Sequence, residues 1–473
     1  MARAACRPGE RQHSKRRSSQ AHAAPLKQMN LKAAGIDVGA DCHWVAVPPD
    51  RAAPAVQRFG AFTADLYVLA EWLRQCQIET VVMESTGVYW ITLFEVLEER
   101  GFDVKLVDAH YARQVPGRKT DIKDCQWLQE LHTYGLLCGA FRPEDQICVL
   151  RSYLRQRSMR VAMASRAVQQ MQKALEQMHL KLTEVVSDIN GKTGMEILRA
   201  ILAGARDPQR LASHRDRRCK HDQATIAKAL EGHWRAEHLF ALQQVLEQYE
   251  FLQQQLQACE QQIDACLQTF VTHVAVEPPQ PPPARQRRSR QRQAPSFDVH
   301  KYLDAMTGVD LTQIDGIDAL TALKVISEIG LDMTRWPTGK HCASWLGWCP
   351  GNKLSGGKRY RMRSKPTANR AASALRLAAQ GLVNSHSALG AYYRRMRARL
   401  GAPKAITATA HKLARLVYSM LRYGTAYGDA GQQAYEQQYR DRVLTNLQRK
   451  ARVFGYQLVH VEDTGRVQAT ATL

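Results

Sequence analysis

The rhythm of apolar and polar positions changes several times along the chain. Ala33–Val38 and Trp44–Val47 are short, mainly apolar runs that predict strands. Leu66, Leu69, Trp72 and Leu73 have helical spacing and predict a helix over 64–75. Thr80–Met83 predicts a buried strand that ends at Glu84, and Trp90–Arg100 a second helix. Val104–Val107 predicts a further strand, and a third helix is expected from about Thr120 to Tyr134. Two hairpin strands followed by helix, strand, helix, strand and helix predict an α/β unit over 31–150, a mixed sheet flanked by helices.

The period then becomes seven. Leu154, Val161, Val168, Leu175 and Leu182 recur at that spacing, with Ala164, Met171 and Met178 in the other seam position. Leu242, Tyr249, Leu256, Ile263 and Phe270 form a second set, interleaved with Val245, Leu252, Cys259 and Cys266. Two seams of this kind predict a coiled-coil hairpin or a dimerising stalk over 151–276. Its Met and Cys positions read as core rather than ligands. Between the seams, 186–235 predicts short helices with turns at Gly191 and Asp207-Pro208.

Proline and charge mark the remaining boundaries. Pro278, Pro279, Pro281, Pro282, Pro283 and Pro295, with Arg285, Arg287, Arg288, Arg290 and Arg292, define an extended basic linker over 277–297. Residues 298–430 predict a mostly helical unit. Within it Ile314–Leu323, running on to Gly330, has a helix-hairpin-helix-like pattern whose glycine turn would let backbone amides approach phosphate. Residues 1–30 form a basic arm without periodicity, and 431–473 a basic tail. Met29 stands just before the first strand and is an alternative start to Met1. The chain is thus multidomain, α/β plus α.

Composition narrows the partner. The 473 residues carry 66 Lys+Arg against 44 Asp+Glu, a formal net charge of +22. Such an excess points to a polyanion, nucleic acid before an anionic membrane surface. No run of about 18 apolar residues predicts a membrane span, and the basic N-terminus lacks a signal-peptide core, so a cytoplasmic, nucleoid-associated protein is expected. The 11 cysteines are scattered without any C-x-x-C, which argues against a disulfide framework or a zinc ribbon. His214, Cys219 and His221 lie in a basic loop and read as exposed polar residues.

Four acids interrupt the positive charge at informative places. Asp37 lies in the middle of the first strand, in Gly35-Ile-Asp-Val-Gly39, and Glu84 ends a later strand, in Val81-Val-Met-Glu-Ser-Thr-Gly87. Asp121 and Asp124 stand three apart where a helix begins, in Lys119-Thr-Asp-Ile-Lys-Asp-Cys125, and so share a helix face. Carboxylates placed this way suit hard cations, Mg²⁺ or Mn²⁺. Two such ions about 4 Å apart can activate a nucleophile and stabilise a leaving oxygen in phosphodiester transfer. The competing structural reading makes Asp121 and Asp124 a helix cap and first-turn acid. Gly35–Gly39 also resembles the first phosphate loop of actin-like ATPases and sugar kinases, but heptads occupy the place where their second phosphate loop belongs.

Gly351–Arg370 holds seven Lys/Arg and no acid. Ser355 precedes Gly356 and Gly357, which expose a hydroxyl and let phosphate approach the backbone. Lys353, Lys358, Arg359, Arg361, Arg363, Lys365 and Arg370 are candidate contacts to a nucleic-acid backbone, as are Arg394 and Arg395 further on. Spacing alone leaves Ser355 either a spectator in a phosphate loop or a nucleophile; His341 is near in sequence but nothing marks it as a base.

Together these segments resemble the DEDD transposases of the insertion-sequence one-ten family. The resemblance runs from about Leu31 to Ala430 and rests on Gly35–Gly39, Met83–Gly87, Lys119–Asp124 and Gly347–Ala379, with Ser355-Gly-Gly-Lys358 and Asn369-Arg370. It implies an RNase H or RuvC-like fold for 31–150, with Asp37, Glu84, Asp121 and Asp124 as its metal set. It also implies a C-terminal domain whose Ser355 attaches covalently to DNA. A composite site across subunits, a homo-oligomer joined through the coiled coil, and a noncoding guide RNA that selects donor and target DNA follow from it as well. Arg363–Asn369 departs from the family's glycine-rich Lys-x-Gly-Asn, since Pro366 enters this turn, and the 277–297 linker is peculiar to this chain. Two alternatives remain: a RuvC-like nuclease or junction resolvase without a covalent intermediate, and a non-catalytic nucleic-acid-binding protein.

Overall fold

A computed structural model describes residues 27–108, 120–137, 139–271, 295–349, 353–360 and 369–458. The 1–30 arm up to residue 26, the linker from 277 to 294, the tail after 458 and the candidates Arg361, Arg363 and Lys365 lie outside the described residues. The chain divides into two compact units, Met1–Arg142 and Pro143–Leu473.

The first unit is built on a five-stranded mixed sheet: β1 (Ala33–Val38), β2 (Cys42–Ala46), β3 (Val56–Gly60), β4 (Thr80–Glu84) and β5 (Asp103–Val107), in the order β3-β2-β1-β4-β5. β1 to β3 form an antiparallel meander, while β4 and β5 continue parallel to β1. Helix α1 (Thr63–Gln75) joins β3 to β4, α2 (Trp90–Glu99) joins β4 to β5, and α3 (Asp121–Thr133) follows. The edge strand β3 was not expected. Its Val56-Gln-Arg-Phe-Gly60 has only Phe59 buried, too few apolar positions for the alternation to register.

Alternation sorts the two faces of this sheet. Ile36, Val38, Val81 and Met83 point into a large core with Leu66, Leu69, Leu73, Leu93 and Leu97 of α1 and α2. On the other face Val82 and Val107 pack against Leu128 of α3. Gly35, directly opposite Val82 in the ladder, belongs to that second face.

The second unit begins with α4 (Asp145–Gln177), which starts ahead of the 150/151 division that the pattern suggests. Four short helices follow, α5 (Leu182–Val185), α6 (Lys192–Leu202), α7 (Pro208–Ala212) and α8 (Gln223–Ala229), and then α9 (Ala236–Val271). The heptad run to Leu182 outlasts α4, because the chain turns at His179 with φ +56° and restarts. Helices α4 and α9 are antiparallel and pair within one chain: Gln146 bonds Thr269, while Arg157 bonds Glu260. Between the alternatives of hairpin and stalk, these contacts are those of a hairpin. Leu154, Ala164, Met171, Leu175, Leu242, Leu252 and Ile263 are buried.

The helical part continues with α10 (Val299–Thr307), α11 (Ala319–Ile329), α12 (Gly339–Trp345), the two-stranded hairpin β6 (Lys353–Ser355) and β7 (Lys358–Tyr360), then α13 (Arg370–Gly381), α14 (Ala388–Leu400), α15 (Ala402–Tyr423) and α16 (Gly431–Val453). Helix α15 buries Leu413, Ala414, Val417 and Tyr418 against its neighbours. The turn before α11 uses Gly316 at φ +88°, where an added Cβ would stand 2.7 Å from the Ala378 carbonyl oxygen of α13. Packing on α13 therefore accounts for this glycine, where the sequence suggested an approach to phosphate. The tail expected from 431 opens as a regular helix, α16, with no buried residue.

Candidate functional site: an acidic strand edge and a serine hairpin

In the parallel β1–β4 ladder the last paired residues are Ile36 and Met83. Asp37 and Glu84 each come one residue later. They therefore stand side by side at the carboxyl ends of neighbouring strands, about 5 Å apart across the ladder. Both share the parity of Gly35 and Val82 and so face α3. Each is half-buried. Glu84 accepts a hydrogen bond from the Thr86 hydroxyl at 3.2 Å.

Helix α3 reaches this edge because β1 has no side chain at Gly35. A Cβ there would lie 2.3 Å from the Gln129 nitrogen and 2.4 Å from the Cys125 carbonyl oxygen. The cap of α3 is Thr120, whose hydroxyl accepts from Lys123 N–H at 3.3 Å. Asp121 and Asp124 are thus not the cap; both lie in the first turn, where negative charge complements the helix dipole. Asp121 is exposed and Asp124 half-buried. Burial pushes the Cys125 thiol up to about 12, and the charges of Asp37 and Asp124 push in the same direction. The Gly35 contact with the Cys125 carbonyl is what brings the first turn of α3 up to β1.

The far end of α3 is tied down as well. His132 is buried, with its Nε2 2.9 Å from the Thr80 hydroxyl of β4. Burial lowers its pKa to about 4, helped by the Lys105 charge and opposed by Asp103. Asn30 donates to the His132 carbonyl at 2.7 Å.

The donors along this edge are carboxylate oxygens, the set that suits Mg²⁺ or Mn²⁺. Among the described residues no three His, Cys, Asp or Glu side chains close into a ready coordination cage. The donor chemistry fits a hard cation; the ligand geometry is an open edge.

The register exposes two neighbours that the sequence reading passed over. Asp37 pairs with Trp44, and Trp44 pairs with Arg58. Residues paired across strands lie on one face, so an indole and an exposed guanidinium flank the acid edge. Only knowledge of the β2–β3 pairing could have found them.

Ser355 closes a tight hairpin. It pairs with Lys358, and Gly356 and Gly357 between them have φ +55° and +74°. A two-residue loop with both central residues at positive φ is the turn that suits strand twist, which accounts for the glycine pair. Ser355 and Lys358 are exposed. Lys353 and Arg359 sit on the two strands. Asn369 caps α13 by accepting from Ala372 N–H at 3.0 Å, and this leaves Arg370 exposed at the helix start. His341 Nδ1 lies 2.8 Å from the Thr338 hydroxyl, a local contact at the start of α12.

Arg394 and Arg395 point elsewhere than the sequence suggested. Arg394 donates to the Val383 and Ser385 carbonyls at 3.1 and 2.6 Å and to Gln432 at 2.7 Å. The Arg395 guanidinium sits over the Tyr439 ring at 3.9 Å and the Tyr435 ring at 5.0 Å. Both are half-buried and fasten α14 to α16; the exposed cations of α14 are Arg397 and Arg399. Among the described residues no helix is long and apolar enough to cross a membrane.

Known proteins show the same two-part order. Residues 34–180 match the transposase model for IS110-type DEDD proteins, and residues 310–394 match the model described as transposase IS116/IS110/IS902 family. The insertion element IS110 uncharacterized 43.6 kDa protein of Streptomyces coelicolor is 33% identical over 144 residues, 29% of this chain. The chain spans about a third of that relative's length (34%). Two transposase models, matching in succession the segment of the strand-edge acids and the segment of the serine hairpin, together with this relative make the chain similar to the IS110-type insertion-sequence transposases.

Proposed function

We propose that this chain is the recombinase of an insertion sequence, cutting and rejoining DNA at the element's ends and target. Asp37, Glu84, Asp121 and Asp124 act as its metal-holding acids and Ser355 as its nucleophile. What supports the reading most directly is the ladder register that sets Asp37 beside Glu84 on the α3 face. When bound, Mg²⁺ or Mn²⁺ would neutralise the charge that builds on the phosphoryl oxygens.

The protein's own groups have separate tasks in this reading. The four carboxylates hold charge at a fixed strand edge, and α3 keeps two of them there. The Ser355 hydroxyl gives up its proton and bonds to phosphorus as the bond to a deoxyribose oxygen breaks. That oxygen takes up a proton. The reverse step, onto a different strand, restores the serine. Lys353, Lys358, Arg359, Arg361, Arg363, Lys365 and Arg370 hold the backbone near the hairpin. An element-encoded noncoding RNA selects the DNA, and the working form is a homo-oligomer.

The test is excision and insertion of a marked element in cells with Asp37→Asn, Glu84→Gln and Ser355→Ala variants, together with a search for a covalent adduct on labelled DNA. Loss of activity is expected in all three, and loss of the adduct in Ser355→Ala. Wild-type activity in Ser355→Ala would transfer the chemistry to the acids alone and favour a nuclease. Depleting or scrambling the flanking noncoding segment should stop target selection.

A further inference from the structure

Helix α16 is fastened by its first two turns and overhangs after them. Gln432 N–H donates to the His386 carbonyl at 3.0 Å, and its side chain receives Arg394. Tyr435 meets Tyr392 edge-on at 6.4 Å, and Arg395 lies over the Tyr435 and Tyr439 rings. From Arg440 to Val453 only Val443 and Ala451 are even half-buried. At 1.5 Å per residue this stretch extends roughly 20 Å beyond the last docked ring.

The overhang is strongly cationic. It carries Arg440, Arg442, Arg449, Lys450 and Arg452 against the single Asp441. At 100° per residue, Arg442 and Arg449 stand roughly opposite Arg440 on the helix circumference. Cations on both flanks of a helix segment that stands largely exposed among the described residues match a groove walled by phosphate on two sides. The DNA major groove is about 12 Å wide and admits an α-helix, whereas the A-form RNA major groove is too narrow and deep. A second copy of α16 would bring like charges together, which argues against self-association through Leu444 and Leu447.

We propose that α16 is a duplex-DNA-binding arm, docked on the body through Tyr435, Tyr439 and Gln432 and lying in the groove through its Arg440–Arg452 segment. The arm lies beyond both family-model matches, which end at residue 394. It rests on the recombinase reading for its biological use, but its binding is measured without catalysis.

The test uses the full chain in EDTA and a variant with Arg442, Arg449, Lys450 and Arg452 changed to Gln. Fluorescence anisotropy on a random-sequence 30-base-pair duplex and on an RNA hairpin of equal charge is followed against salt. For duplex DNA the salt slope should become shallower by about 3 to 4, at about 0.9 for each phosphate that is no longer neutralised, with affinity reduced more than tenfold at constant salt. Slowed hydrogen exchange of the α16 amides in the wild-type chain on adding duplex gives a second readout that needs no variant. An unchanged slope with unprotected amides overturns the arm while leaving the recombinase reading intact. A loss confined to the RNA hairpin, or a change only in self-association, also overturns it. No duplex binding by the wild-type chain would sink the recombinase reading itself.

Discussion

Strand β1 and helix α3 touch backbone to backbone: a Cβ on Gly35 would stand 2.3 Å from the Gln129 nitrogen. This approach lays the first turn of α3, with Asp121 and Asp124, toward the end of β1, where Asp37 sits. A single missing methyl group thus couples the packing of the first unit to its candidate chemistry. Gly35→Ala should cost about 1–3 kcal/mol or more by overpacking, since the opposing atoms are backbone and cannot rotate away. Thermal unfolding and the excision assay together check it. A stable Gly35→Ala variant with full activity would show that the α3 approach is not needed.

His132 should make stability depend on pH. Its pKa is lowered to about 4 in the folded chain, from an ordinary value of 6.5. The unfolded chain therefore binds the proton more readily, and stability is fully present above pH 6.5. It is lost as pH falls toward 4, by on the order of 3 kcal/mol at most. Urea unfolding of the first unit at pH 7.5, 5.5 and 4.5 measures this, with His132→Gln as comparison. The wild-type chain should lose more than the variant across that window, and parallel curves would refute the assignment.

Arg157 and Glu260 form a buried ion pair at 2.7 Å between α4 and α9, in the middle of an otherwise apolar seam. Glu260 Oε2 also accepts from Ser296 N–H at 2.9 Å. Glu260→Leu takes the doubly hydrogen-bonded carboxylate away from a buried guanidinium and should cost about 3–5 kcal/mol. The double variant Arg157→Met with Glu260→Leu should recover most of that loss. A double-mutant cycle by chemical denaturation decides it; equal losses in the single and double variants would deny the pairing its role.

The Ser355 hairpin needs positive φ at both Gly356 and Gly357. The double variant Gly356→Ala with Gly357→Ala costs about 1–2 kcal/mol at each position and should open the turn. Gly356→Asn alone keeps a sequence that favours this turn. The adduct on labelled DNA should vanish in the first variant and persist in the second, while both bind duplex DNA. Equal adduct yields would mean that the hairpin does not position the serine.

Trp44 and Arg58 lie in register with Asp37 on one face of the sheet. If they hold substrate there, Arg58→Gln should weaken DNA binding in EDTA several-fold without changing the melting temperature, because the side chain is exposed. Unchanged binding would limit the role of this face to the carboxylates.

Local pattern carried much of this protein. Strands β1, β2, β4 and β5 and helices α1 to α3 were legible because apolar spacing is written within each segment. Asp37, expected in mid-strand, sits one residue before the end of β1, whereas the placement of Glu84 at a strand end and of Asp121 and Asp124 at a helix start followed from the same spacing. So did two long helices with matching seams and the concentration of positive charge. The face on which the acids meet was not legible, since it depends on the Ile36–Met83 pairing of strands far apart in sequence. Nor was β3, whose outer position leaves it little to bury. The glycine pair after Ser355 suggested an exposed hydroxyl, but only the Ser355–Lys358 pairing made it a hairpin. Arg394 and Arg395 looked like surface cations until α16 came back to cover them. Periodicity is a property of neighbours along the chain, and the sequence alone determined most of the elements and the residue types each one carries. Register, pairing and the partner each guanidinium finds are set by residues that meet only on folding, and the tertiary structure decided those.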